Sequence, residues 1–348
     1  MPDAGRRYRR LTGTHGIPLT SVAVHLIRAI TLAAFVTMFV ACYMPIGQYQ
    51  SDSETAKPSA KDPGDEGSGT EEDPYIVDSK DRLVELLQSD DPEALSAHYQ
   101  LADDLDLTGE EWEPIDEFTG SFDGKGYIIS GLTPKTGAGR SSTGFFGTIE
   151  EGAVVCNVQL EVHIDDPEQN NVGAIAGINK GTIANSFATG FMRGNHEIGG
   201  LVSINEGLIE YSYARMELEL DGGRSGSGGL VGVNRAGGVI YDSYAAAAIR
   251  DADGEALHAD VGGLVGTTRS GSTVERSFSD RDLEGPDVAI GDPRGGATIS
   301  NVEALSTGQA KSQTHLSSEL QFDFDAVWAI DPDINDGYPY LRNNPPEA

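Results

Sequence analysis

Short bursts of alternating apolar and polar residues recur along the chain, separated by glycine and asparagine. Val158, Leu160, Val162 and Ile164 alternate with Gln159, Glu161 and His163, and Met216, Leu218 and Leu220 alternate with Glu217 and Glu219. A period of two over seven or eight residues predicts strands with one buried and one wet face. No repeat contains an amphipathic run of ten or more residues, so helical repeats and alternating strand-helix barrels are excluded.

The bursts belong to an internal repeat. VGAIAGINKGTIANSFATG from Val172, IGGLVSINEGLIEYSYARM from Ile198, SGGLVGVNRAGGVIYDSYAAA from Ser227 and VGGLVGTTRSGSTVERSFSDR from Val261 align, and a weaker copy begins at Gly144. Successive copies are 30, 26, 29 and 34 residues apart. Each unit reads as a glycine-rich apolar strand opening at Gly173, Gly199, Gly228 or Gly262. A turn at Asn179, Asn205 or Asn234 follows, then a second strand carrying Ser186-Phe187, Ser212-Tyr213, Ser243-Tyr244 or Ser277-Phe278. A unit this small cannot bury its own apolar face, so copies must stack. Stacking with coils ~4.8 Å apart makes an all-β, parallel β-helix (solenoid), right-handed as parallel crossovers are.

In such a stack the asparagines predict a hydrogen-bonded ladder, in turns whose left-handed backbone asparagine tolerates. Phe187, Tyr213, Tyr244 and Phe278 predict ring-on-ring packing; placed outside, the same rings would form a sugar-binding strip. Cys156 aligns with Asn185 and Tyr211.

The flanks read as caps. Leu83, Leu86 and Leu87 share one face of a short helix over 81–88, with Asp78 or Ser79 as N-cap. Asp123-Gly124 is a hairpin signal. Phe322, Phe324 and Trp328 in residues 320–330, followed by residues 338–341, supply a bulky closing layer.

The GGLVGxNxGxIxxSYA pattern, at residues 199–214 and, with two extra turn residues, 228–245, resembles the GLUG motif of bacterial surface proteins. EDPYIVDSKDRLVELL from Glu72, FTGSFDGKGYIISGL from Phe118 and INDGYPYLRN from Ile334 are similar to the flanks of such proteins. The resemblance implies a β-helical stalk of the kind found in adhesin-like proteins and in non-catalytic regions of immunoglobulin A peptidases. Its motif positions are structural ones, so it implies a fold and a location rather than a chemistry.

Composition changes the picture in two ways. The 44 glycines among 348 residues, with 16 prolines, fall short of the composition of collagen or low-complexity chains. A net charge of −31 repels phosphate backbones, which excludes nucleic acid as a partner.

Arg6, Arg7, Arg9, Arg10 and Arg28 precede an uncharged apolar run over 29–41, the arrangement of an export signal. Phe39-Val40-Ala41-Cys42 resembles a lipobox, which implies a lipidated Cys42 as the mature N-terminus and a membrane partner through that lipid. An uncleaved signal anchor is the alternative. The expected boundaries are 1–41 signal peptide, 42–72 acidic tether, 73–143 N-terminal cap and first coils, 144–300 repeats and 301–348 C-terminal coil and cap. With Cys42 lipidated, Cys156 is expected to be a free thiol.

Catalytic chemistry finds little footing. GxSxG, HExxH, GxGxxG and GxxxxGK[ST] are missing, and the seven histidines are scattered. Asp331 to Gly337 superficially resembles a calcium loop, but the sixth and twelfth positions of an EF-hand fall on Asp336 and Arg342; an acidic turn fits better. Asp251 to Glu255 is treated alike. No metal and no cofactor are expected. Asp165 with Asp166, and Asp280 with Asp282, are the carboxylate pairs a polysaccharide hydrolase or lyase would use, but among 55 acids such pairs arise by chance. The expected function is a non-catalytic, exported binding protein of adhesin type at the outer membrane or cell surface, with an unknown protein or neutral glycan as ligand. A carbohydrate-active β-helix enzyme and a purely structural stalk are the alternatives. A groove in which three or more carboxylates and a basic residue converge would favour the enzyme.

Overall fold

The computed structural model describes residues 66–88, 91–136, 142–222 and 226–346. Parallel strands stack in a β-solenoid of about 8 turns with few helices. The register reproduces the expected spacing: Phe146, Ala176, Val202, Val231 and Val265 are partners from coil to coil, at sequence offsets of 30, 26, 29 and 34 residues.

One coil illustrates the build. Ile198–Gly199, Val202–Asn205, Leu208–Glu210 and Tyr213–Leu220 are its four strands, each paired with its counterparts above and below. Ile198, Val202, Ile209, Ala214, Met216, Leu218 and Leu220 join one buried core inside the coils. Gly173, Gly199, Gly228 and Gly262 form one register line, and a Cβ on any of them would run into the carbonyl oxygen three residues on.

The sharpest bend follows the third strand. Asn157, Asn185, Tyr211 and Asp242 hold it with φ of 53°, 49°, 46° and 45°. Asn179, Asn205 and Asn234, expected to supply left-handed turns, are instead the last residues of extended strands and are paired in register. The turns after them are tight because Gly181 and Gly207 fit against neighbouring backbone. Register also shifts Cys156 by one place, opposite Ala184, which in turn faces Glu210. Asn157, at the bend, is the residue equivalent to Asn185 and Tyr211.

The amino-terminal end is closed as expected by the helix Lys80–Leu87. The Ser79 hydroxyl accepts from the Arg82 N–H, and Leu83 and Leu87 are buried. Folded chain begins earlier than the expected tether boundary. The Ile76 N–H donates to the Glu66 carbonyl at 3.1 Å and the His98 N–H to that of Gly69 at 2.9 Å. Asp123-Gly124 is a solenoid corner rather than a hairpin: Ser121–Asp123 pairs in parallel with His98–Leu101 and Val154–Cys156, while Ile128–Leu132 joins a different stack. Cys156 is disulfide-bonded, which corrects the expected free thiol. That expectation rested on Cys42, which lies, with the signal peptide and most of the tether, outside the described residues.

The closing layer is also elsewhere. Residues 306–346 do not cover the last coil; they run back along the outside of the stack as a strap. Leu316, Phe322, Trp328, Tyr338 and Leu341 form a second buried core with Phe187, Tyr213, Tyr244 and Phe278. At its far end Asn344 accepts from Gln159 Nε2 at 2.8 Å and donates to the Asn185 carbonyl at 2.7 Å. The last coil keeps an outer edge: Thr298–Leu305 pairs with Thr273–Asp280 on one side, and Ile299 and Val288 are 41% and 49% exposed.

Candidate ligand-binding groove

The long strand of each coil presents alternate side chains outward, and register aligns them into rows across the coils. The first row is Gln159, Phe187, Tyr213, Tyr244 and Phe278. Its rings stack at 4.6, 4.9 and 4.9 Å between centroids, with planes within 7° of parallel, at the solenoid's own pitch. They face outward, as a sugar-binding strip would, but the strap buries them.

Each ring is preceded by a serine that explains the repeated Ser-aromatic pair. The hydroxyls of Ser186, Ser212, Ser243 and Ser277 accept from the N–H of Val158, Ser186, Ser212 and Ser243 in the coil before, at 3.1 to 3.2 Å. Each also donates to the carbonyl two residues back. The left-handed bend breaks the backbone ladder there, and the hydroxyl bridges the gap. In a separate sheet of the solenoid the asparagines form the expected ladder. Asn179 Nδ2 donates to Asn205 Oδ1 at 2.8 Å, and Asn205 Nδ2 to Asn234 Oδ1 at 2.9 Å.

The remaining rows differ from coil to coil. Glu161, Thr189 and Arg215 form the second, His163, Phe191, Glu217 and Ala248 the third, and Asp165, Arg193, Glu219 and Arg250 the fourth. The fourth is an alternating charge ladder: Arg193 lies 3.9 Å from Asp165 and 3.8 Å from Glu219, and Arg250 lies 3.0 Å from Glu219. The guanidinium of Arg193 also makes two hydrogen bonds to Asp221, which hold it firmly protonated.

The second and third rows floor a groove of about 1040 Å³ whose wall is the strap. Lys311, Asp336 and Tyr338 reach it from the strap; Glu161, His163, Phe191, Arg215 and Glu217 reach it from the coils. Lys311 Nζ is 4.4 Å from the centre of the Tyr338 ring. Arg215 donates to Asn335 Oδ1 at 2.8 Å and pairs with Asp336, so these members of the calcium-like loop tie the strap to the coils. Phe191 is half-buried, with His163 stacked on it at 5.3 Å.

The nominated acid pairs lie outside this groove. Asp165 belongs to the charge ladder, and Asp166 accepts from the Glu168 N–H in a turn. Asp280 is buried and accepts from the hydroxyls of Tyr338 at 2.6 Å and Thr307 at 2.7 Å. Burial and that hydrogen bond hold the Tyr338 phenol far above its usual pKa. Asp282 accepts from the Thr307 N–H, so the second pair anchors the start of the strap. Asp251 accepts from the N–H groups of Asp253 and Glu255, closing its own loop. Sequence reasoning passed over Phe191, Glu217, Arg215 and Lys311. A large apolar residue at an outward strand position was the available signal, and Phe191 is one.

No family model matches the chain. Over 157 residues, 40% of its length, it is 34% identical to halomucin of Haloquadratum walsbyi, and it spans about 2% of that protein's length. Two solved structures were also matched. A Bacteroides ovatus crystal structure named for an immunoglobulin A1 protease has a TM-score of 0.48 at 17% identity, covering 80% of this chain and 94% of that one. A structure named IgA1 protease has a TM-score of 0.41 at 18% identity, covering 65% of this chain and 19% of that one.

Proposed function

We propose that the protein is an exported, non-catalytic binding protein of adhesin type that presents its solenoid at a cell surface and holds a ligand in the groove between coils and strap. The observation that carries this reading is the division of labour among the rows. Every position that repeats is occupied by stacking, laddering or tight turning. The positions that differ from coil to coil converge on one concave, mixed polar and aromatic surface. The similarity to halomucin fits a surface β-solenoid, and the arginine-rich, apolar N-terminal sequence fits export. Attachment through a lipidated Cys42 is proposed for chains in which that thiol is not taken up by the Cys156 disulfide, and the GLUG-type repeat pattern belongs with the proposal.

The groove does contain three carboxylates and two cations, the feature that would favour an enzyme, and its geometry argues for binding instead. Asp336 is held by Arg215. Glu161 and Glu217 are two coils and two residues apart, so their backbones are separated by about 12 Å at ~4.8 Å per coil and ~3.3 Å per residue. Carboxyl pairs that cut glycosidic bonds stand ~5 to 9.5 Å apart, held there by their surroundings. Neither glutamate has an ion pair or hydrogen bond among the described residues to draw it inward.

The test is to screen full-length protein against protein and glycan arrays alongside its Phe191→Ala variant, and to incubate both with polysaccharides and immunoglobulin A. Binding that depends on Phe191, with no new reducing ends and no cleaved peptide, is expected. Turnover lost on replacing Glu161 or Glu217 would replace this reading with the enzyme.

A further inference from the structure

We infer that the groove takes a positively charged side chain, an arginine guanidinium or a lysine ammonium, carried on a basic segment of a partner protein. The inference rests on the reading of the groove as the binding site and names what it binds.

Phe191 lines the groove as a half-buried ring. His163 covers one face of its ring, and register puts Glu217 on the next coil at the other side. Glu161 is one coil and two residues away on the His163 side. An aromatic face flanked by carboxylates attracts a cation twice over, through the ring quadrupole and through the charges.

The groove's own cations do not fill that position. Lys311 lies over the Tyr338 ring, and Arg215, 5.6 Å from the same ring, is tied to Asn335 and Asp336. Glu161 and Glu217 keep no ion pair and no hydrogen bond among the described residues.

Elsewhere the protein completes the same combination from its own sequence. The Arg276 guanidinium is 3.8 Å above the Tyr241 ring and bonds both Asp242 oxygens at 2.7 and 2.6 Å. Arg82 lies 6.0 Å from the Tyr75 ring and 2.9 Å from Glu85. Ring, carboxylate and cation also meet at Tyr338, Asp336 and Arg215. At Phe191 the ring and the carboxylates are in place, and the cation has to come from outside.

The identity of the partner follows from charge. A chain of net charge −31 steers basic surfaces toward itself and repels anionic ones. A neutral glycan would leave two carboxylates without a counter-charge, whereas a basic protein segment neutralises them and lays its side chain on the ring.

The experiment measures fluorescence anisotropy of full-length protein with a glycine-serine peptide carrying two arginines, and with the same peptide carrying citrulline instead. Citrulline keeps the shape and removes the charge. The arginine peptide should bind about tenfold tighter, the scale of a partly desolvated cation on a ring beside a carboxylate. Glu161→Gln with Glu217→Gln should erase that difference, and Phe191→Ala should weaken the arginine peptide several-fold. Neutralising two exposed acids outside the groove, Glu168→Gln with Glu303→Gln, should leave affinity within about twofold, which separates the site from the general field. Circular dichroism of each variant confirms that the solenoid is intact.

Equal binding of the two peptides, or equal loss from the control pair, overturns the inference. If a neutral oligosaccharide binds in a Phe191-dependent way while arginine and citrulline peptides bind alike, the cation inference falls and the groove reading stands. If Phe191→Ala changes the binding of no ligand, both fall.

Discussion

Tyr213 lies on Tyr244 with ring centroids 4.9 Å apart and planes 4° from parallel, and the Tyr244 hydroxyl donates to the Pro339 carbonyl at 2.5 Å. One residue thus joins the coil-to-coil stack to the strap that covers it. Removing the ring in Tyr244→Ala should cost about 3 to 5 kcal/mol, the usual loss for a buried aromatic. It should also make residues 306–346 the first segment cut in limited proteolysis. Tyr244→Phe keeps the stack and should cost about 1 kcal/mol. Equal stability of the two variants in urea would mean that the stack contributes nothing.

The asparagine ladder predicts unequal losses along its length. Asn205 both accepts from Asn179 and donates to Asn234, so Asn205→Ala strands buried polar groups on both sides and should cost about 2 to 4 kcal/mol. Asn179 stands at the end of the ladder, next to Ile149, where its Oδ1 has no donor among the described residues. Asn179→Ala should therefore cost less. Urea midpoints of the two variants decide the point; the reverse order would contradict the ladder.

Glu210, on the strand edge beside the bend, has its carboxyl pushed up to about 7 by burial. The folded state therefore holds this proton more tightly than the unfolded chain, whose glutamate titrates near ~4.3. The stability it contributes is fully present below that lower value and is lost as pH rises through about 7. The loss amounts to at most about 4 kcal/mol. Glu210→Gln, always neutral, should flatten that part of the stability profile and melt higher than wild type at pH 8. An unchanged profile in the variant would assign the pH dependence elsewhere.

Cys156 should resist alkylation in the unfolded chain until a reductant is added, because it is disulfide-bonded. Fatty-acid labelling that disappears in Cys42→Ser is the expected sign of the lipid anchor. The chain has two cysteines and Cys156 is buried, so a disulfide at Cys156 within one chain and a lipid thioether on Cys42 exclude each other, and the labelling decides between them. One thiol reactive without reductant would contradict the disulfide.

The repeat spacing, the asparagine ladder, the aromatic stack and the Ser79-capped helix were legible because each depends on a residue type recurring at one coil position. The side on which the aromatic row lies was not. Ala188, Ala214 and Ala245 alternate with Phe187, Tyr213 and Tyr244, and both sets are buried, one inside the coils and one beneath the strap. Alternation separates two faces but cannot say which is the interior when both are apolar. The bend was hidden for a different reason: Asn157, Asn185, Tyr211, Asp242 and Arg276 all adopt it, and no residue type marks it. Cys156 was misaligned by one place through that omission. The groove was not legible because Thr189, Phe191, Arg215 and Glu217 occupy positions where the units differ, so no residue type recurs there. Residues 320–341 looked like an end cap because their bulk signals burial without saying against what.

The most direct test of the account is a hydrogen-exchange footprint of the full-length protein with and without the two-arginine peptide. The account predicts added protection over residues 161–163, 189–191, 215–217 and 332–338, and unchanged exchange at Asn179, Asn205 and Asn234. Protection confined to the Asn-ladder side, or to residues 288–305 at the last coil, would place binding outside the groove and contradict the account.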